Sequence, residues 1–164
     1  GFLDRLDPPF LDQHAADLIS PEEYRMRGDA RRFESWERFC AGQAGLAAAM
    51  DYACDIGLAR IYARIRLLAS TLRRRLTGLP GVEVCDGGVE QCGIVTFRVA
   101  GQAPEAVNAH LADLGINVSV SSGSGNLVWF QRHGYDALVR ASVHCYNTAA
   151  ELDRLAEALE ALRA

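Results

Sequence analysis

The chain has 164 residues, 49% of them hydrophobic, with a net charge of −4 and a pI near 5.5. That length accommodates one compact domain with an extra arm, and its core needs neither disulfides nor a metal. The negative balance argues against bulk binding of nucleic acid or acidic membranes, and the longest apolar runs are too short to span a bilayer.

The chain opens on Gly1-Phe2-Leu3, without methionine, and Asp7-Pro8-Pro9 follows. This start reads as a piece of a longer polypeptide or as the remnant of tag removal. Residues 1–30 are expected to be irregular: Pro8, Pro9 and Pro21 break any long helix, and Ser20-Pro21-Glu22-Glu23 resembles the start of a short one. Arg25, Arg27, Arg31 and Arg32 cluster here, so the arm either packs on something outside the chain or frays. In the next dense group, Arg32 and Glu34 are candidates for a local ion pair and Trp36 is a candidate ligand contact.

An alanine-rich helix is predicted from about Ala41 to Asp55, with Leu46, Met50 and Cys54 on one stripe and Gly57 closing it. A second helix runs to about Thr77. Its Leu58, Ile61, Ile65, Leu68, Leu72 and Leu76 recur at three and four, an apolar stripe facing a core. Arg73-Arg74-Arg75 falls in its last turn, where cations suit the macrodipole, and is read as a solvated helix end.

The period then changes to two. Val82 and Val84 alternate with Glu83 and Cys85, Asp86-Gly87-Gly88 turns, and Val95, Phe97 and Val99 alternate with Thr96 and Arg98. A helix from Ala103 to about Leu114 is closed by Gly115. Ile116, Val118 and Val120 then alternate with Asn117, Ser119 and Ser121. Ser122 to Asn126 forms a polar loop, with Trp129 and Phe130 beside it as lid anchors or packing. A strand over Leu138–Cys145 is followed by a capping box, Thr148 with Glu151, and a last helix carrying Leu152, Leu155, Leu159 and Leu162.

This order predicts an α+β fold: an antiparallel or mixed sheet with helices layered on one face. The covered face bears Val82, Val95, Phe97, Val118, Val139 and Val143. The other bears Asn117, Ser119, Arg140, Ser142 and His144, and it looks like the wall of a site. Arg140 is the leading candidate. Its planar guanidinium cannot be neutralised and matches a carboxylate with two parallel hydrogen bonds, whether that carboxylate belongs to a ligand or to a local Asp or Glu. His144, two residues along, is a candidate substrate contact or a structural histidine. Asn147 is expected to shape the strand-to-helix turn through backbone bonds.

All 17 basic residues are arginine, so chemistry requiring a lysine amine has to come from elsewhere. Cys40, Cys54, Cys85, Cys92 and Cys145 are irregularly spaced, which speaks against a disulfide framework or a zinc site. They read as buried free thiols in a reducing cytoplasm.

Several of these groups, in order and at matching intervals, resemble the class V aminotransferase family over about residues 31–164. They are Arg32-Phe33-Glu34, Gly45-Leu46-Ala47-Ala48-Ala49, Gly57-Leu58, Leu79-Pro80-Gly81-Val82, Gly93-Ile94-Val95-Thr96-Phe97, Ile116-Asn117-Val118, Arg140-Ala141-Ser142 and Tyr146-Asn147-Thr148. The family includes cysteine desulfurases, carbon–sulfur lyases and isopenicillin N epimerase-like proteins. The resemblance implies the C-terminal small domain (31–164) of a fold-type I pyridoxal-phosphate enzyme, with 1–30 as the end of a large domain and the crossing segment. It implies that Arg140 grips the α-carboxylate of an amino-acid substrate, while the Schiff-base lysine sits on a missing N-terminal large domain and leaves this piece inert alone. It also implies a homodimer, in which Trp36 approaches the cofactor of a partner subunit. Where cysteine desulfurases carry a loop cysteine, residues 121–126 read Ser-Ser-Gly-Ser-Gly-Asn. Cys145 falls beyond Arg140, on the expected core face. The competing expectation, from the residues alone, is a self-standing α+β binding or dimerisation module.

Overall fold

A computed structural model describes residues 2–162 and divides the chain into two compact units, Gly1–Tyr52 and Ala53–Ala164. In the first unit β1 (Ala16–Ser20) and β2 (Glu23–Met26) pair antiparallel, with Ala16 opposite Met26. The helix start expected at Ser20-Pro21 is therefore a hairpin turn. Proline fixes the turn geometry there, while Tyr24 and Leu18 take up the cross-strand pairing. Arg32 is buried at 7% exposure and does not pair with Glu34. Its Nε donates to the Arg27 carbonyl (2.9 Å) and Nη1 to the carbonyls of Leu3 (2.9 Å) and Leu6 (3.3 Å). Glu34 instead accepts from Arg38 at 2.7 Å. The guanidinium thus ties the irregular N-terminal segment together, because its donors match carbonyls that no ladder satisfies.

Helix α1 (Cys40–Ile56) reaches Gly57, whose φ of 98° ends it, and α2 (Leu58–Thr77) follows at once. Leu46, Met50 and Cys54 on α1 are exposed, as is Leu58 at the start of α2. The α2 stripe is buried only in its second half, at Leu68, Ala69, Leu72 and Leu76. Periodicity gave the stripe correctly but could not say how much of it this chain covers.

The second unit is built on a four-stranded antiparallel sheet in the order β3-β4-β6-β5, from β3 (Val82–Val84), β4 (Ile94–Val99), β5 (Ser119–Ser122) and β6 (Ala137–Ser142). Helix α3 (Pro104–Asp113) links β4 to β5 and stops before Gly115 at φ 71°. Helix α5 (Ala149–Ala161) starts on the expected capping box: the Glu151 N–H donates to Thr148 Oγ1 (3.3 Å), and the Thr148 N–H donates to Glu151 Oε2 (2.7 Å). One core joins α2, α3 and α5 to one sheet face, with Phe97, Leu72, Leu76, Leu111, Val139 and Leu159 fully buried. Each such side chain contributes about 1.5–3 kcal/mol through burial.

Two sequence expectations change here. Residues 127–133, whose sequence shows no clear period, form helix α4 (Leu127–His133), which ends at Gly134 with φ 69°. It packs on the opposite sheet face, where Phe130 joins Leu138 and Cys85 in a second small core. The strand expected through Cys145 ends at Ser142. One more backbone bond, from the Val143 N–H to the Gly93 carbonyl at 2.8 Å, follows before the chain turns toward the α5 cap.

Candidate functional site

The α4-bearing sheet face is capped at one end and open at the other. The capped end carries Cys85, Leu138, Phe130, Trp129 and Tyr135. Along its border Arg98 pairs with Glu83 at 2.6 Å, Tyr135 Oη donates to the other Glu83 oxygen at 3.3 Å, and the guanidinium lies 5.4 Å from the Tyr135 ring. Burial pushes the Cys85 thiol up from its ordinary value. The neighbouring Cys85 thiol, then desolvation and Glu83, push the Tyr135 phenol up to about 12. These groups are held neutral or paired and form a structural border.

The open end is the candidate site. Arg140 sits in the middle of β6, with Thr96 of β4 as its register partner on one side and Ser119 of β5 on the other. Strand alternation puts Thr96, Arg140, Ser119 and Ser142 on one face, with Ile94 opposite Ser142. Arg140 is half-buried, and its Nε is fully buried without a hydrogen-bond partner among the described residues. No carboxylate lies within ion-pair distance of it among those residues, so the local ion pair considered from sequence does not form. A half-buried guanidinium flanked by hydroxyls, with an unsatisfied donor, is arranged to receive an anion.

His144 does not share that strand. It lies in the turn after β6, exposed, with its ring stacked on Tyr146 (4.5 Å) and its N–H donating to Asn147 Oδ1 (2.8 Å). The ladder that would fix its face ends at Ser142, two residues earlier. Asn147 shapes the turn as expected. Cys145, expected on the core face, is half-buried in the same turn, its Sγ 3.3 Å from His144 Nδ1. Of the other thiols expected to be buried, Cys85 is, whereas Cys40, Cys54 and Cys92 are exposed. Asn117 precedes β5 and, with Ser142, Asn147 and Glu151, lines a recess of about 220 Å³. Trp36 belongs to the first unit. It is exposed and stacks on His14 at 4.9 Å, and the backbone N–H groups of His14 and Trp36 hold the Asp12 carboxyl below its ordinary value.

Sequence reasoning missed the pair beneath the site. Arg73 is not solvated: it is 9% exposed and ion-paired with Asp86. Its place beside Leu72 and four residues from Ala69, on the edge of the apolar stripe, was the available signal, but the surrounding arginine run obscured it. Arg74 alone of the three is exposed, since Arg75 pairs with Asp153 at 2.7 Å.

Pyridoxal phosphate, the cofactor implied by the family resemblance, finds no complete seat among these residues. The chain has no lysine amine to bind it covalently, and the open face offers hydroxyls around a single unpaired guanidinium. That donor set fits the carboxylate of a small substrate.

The sequence profile of the family described as Aminotransferase class-V matches residues 2–155. A probable cysteine desulfurase from Methanothermobacter thermautotrophicus is 29% identical over 160 residues, covering 94% of this chain and 40% of its own length. A cysteine desulfurase from Haloferax volcanii is 32% identical over 98% of this chain and 38% of its own. Among solved structures, the apo cysteine desulfurase of Thermococcus onnurineus superposes with a TM-score of 0.86 at 29% identity, covering 98% of this chain and 40% of that one. The chain therefore spans about 40% of the length of relatives it matches.

Proposed function

The chain belongs to the aminotransferase class-V family, and we propose that it is the part of a pyridoxal-phosphate enzyme that holds an amino-acid substrate by its α-carboxylate. Arg140 is the grip. The observation that carries this reading is the buried, unpartnered Nε of a guanidinium set mid-strand between Thr96 and Ser119. A strand holds the fork more rigidly than a loop would, and rigid placement is what substrate orientation requires. The cofactor, seated on chain outside these residues, would supply the electron sink. This chain's share is to bind and orient: the carboxylate accepts two N–H bonds from the guanidinium, and the flanking Thr96 and Ser119 hydroxyls leave its charge unmatched within the sheet.

Carbon–sulfur lysis, transamination and epimerisation are the reaction types proposed. The absence of cysteine from residues 121–126 favours a reaction that needs no thiol on that loop. In the same reading His144, exposed two residues past the end of β6, is a further substrate contact, and Trp36 approaches the cofactor of a partner subunit in a homodimer. By itself the chain is proposed to be inert.

The test is Arg140→Ala in the full-length enzyme. Removing one partner of a desolvated charge pair costs about 2–5 kcal/mol, so kcat/KM should fall about 30-fold or more with the cofactor retained. Unchanged kinetics with the native amino acid would overturn the assignment.

A further inference from the structure

We propose that the buried Arg73–Asp86 ion pair is the positioning element of Arg140, fixing the stretch of β4 that forms the guanidinium's side wall. This inference rests on the reading of Arg140 given above. Arg73 Nε donates to Asp86 Oδ2 at 2.7 Å, and its Nη2 lies 2.6 Å from the same oxygen. Nη2 also donates to the carbonyls of Cys92 (3.1 Å) and Ile94 (2.8 Å). The other carboxylate oxygen, Asp86 Oδ1, accepts the N–H of Thr96 at 3.2 Å.

These contacts fall where β3 runs out. The Cys85 N–H donates to the Thr96 carbonyl at 2.8 Å, and the next rung is supplied by the Asp86 side chain in place of a strand residue. Of the three residues so held, Ile94 and Thr96 are the register partners of Ser142 and Arg140. Thr96 directs both its backbone groups toward β3, so it faces Arg140 as a non-hydrogen-bonded pair, the kind whose side chains approach most closely. The opposite neighbour, β5, has four residues and lies at the sheet edge, which leaves β4 as the stiffer wall.

A buried ion pair is a weak route to stability, because apolar side chains of like volume often do as well. This pair supplies what apolar side chains cannot: an acceptor for the Thr96 N–H, and donors for the Ile94 carbonyl on β4 and the Cys92 carbonyl just before it. Misplacing a binding group by about 1 Å can cost on the order of 100-fold in rate, so the clamp should be visible in substrate selectivity.

The experiment uses the full-length enzyme, titrated with L-cysteine and with L-cysteinamide while the bound cofactor's absorbance is followed. The unaltered enzyme should prefer the acid by about 100-fold, the preference the arginine fork confers. Asp86→Ala should reduce that preference about tenfold, and Asp86→Asn, which keeps an oxygen for the Thr96 N–H, should recover most of it. If Asp86→Ala does not fold, the apolar double variant Arg73→Met/Asp86→Leu takes its place, with the same loss expected. A preference that stays unchanged in these variants while the melting temperature falls would make the pair merely structural and sink the proposal. Arg140→Ala separates the two readings: if it keeps the acid preference, the grip itself is wrong, whatever the clamp does.

Discussion

Arg140 and Arg98 stand on the same sheet face in different company. Arg98 is exposed and meets Glu83 at 2.6 Å, its register partner on β3, so its charge is matched within the chain. Arg140 meets only hydroxyls in its row, which is why it reads as a binding group. The same border yields a residue-scale prediction at Tyr135, whose phenol is raised to about 12 chiefly by Cys85. In an ultraviolet titration of the chain one tyrosine should ionise last, near that value. Cys85→Ala should bring it back toward 10, and a titration unmoved by the substitution would remove Cys85 as the cause.

At the scale of elements, the α5 start illustrates a local motif that does its work where sequence put it. Thr148→Ala should cost about 1 kcal/mol in urea unfolding at neutral pH, the usual worth of such a cap. The Thr148 N–H and the Asn147 amide hold the Glu151 carboxyl below its ordinary value of 4.5. A carboxyl lowered in the folded state stabilises above its unfolded pKa and loses that contribution as pH falls through the folded one. Glu151→Ala should therefore destabilise at neutral pH, with the deficit fading below pH 4.5; a deficit independent of pH would contradict this. The four strands of the second unit, the helix stops at Gly57 and Gly115, and this cap were legible because each rests on neighbours in sequence, whereas the β1–β2 hairpin was not. Less legible was whatever depends on distant partners. The packing of α4 through Phe130 depends on Cys85, and the burial of Arg73 on Asp86, neither of them a neighbour in sequence. At the site, Arg140 with its Ser119 and Ser142 neighbours could be read from alternation, whereas the clamp from Asp86 to Thr96 could not.

For the whole molecule, the coverage of about 40% of its relatives and the absence of lysine bear on one another. With no internal lysine amine, the chain incubated with pyridoxal phosphate and reduced with borohydride should gain no adduct on an internal residue, once the terminal amine is blocked. Mass spectrometry reads this directly, and a tagged internal side chain would refute it. Arg140, as a carboxylate grip, is what the site stands or falls on. The most direct measurement is the affinity ratio of the full-length enzyme for L-cysteine over L-cysteinamide, taken with and without Arg140→Ala. A carboxylate grip gives a ratio of about 100 that collapses to near one in the variant. A ratio that survives the loss of Arg140 would contradict it.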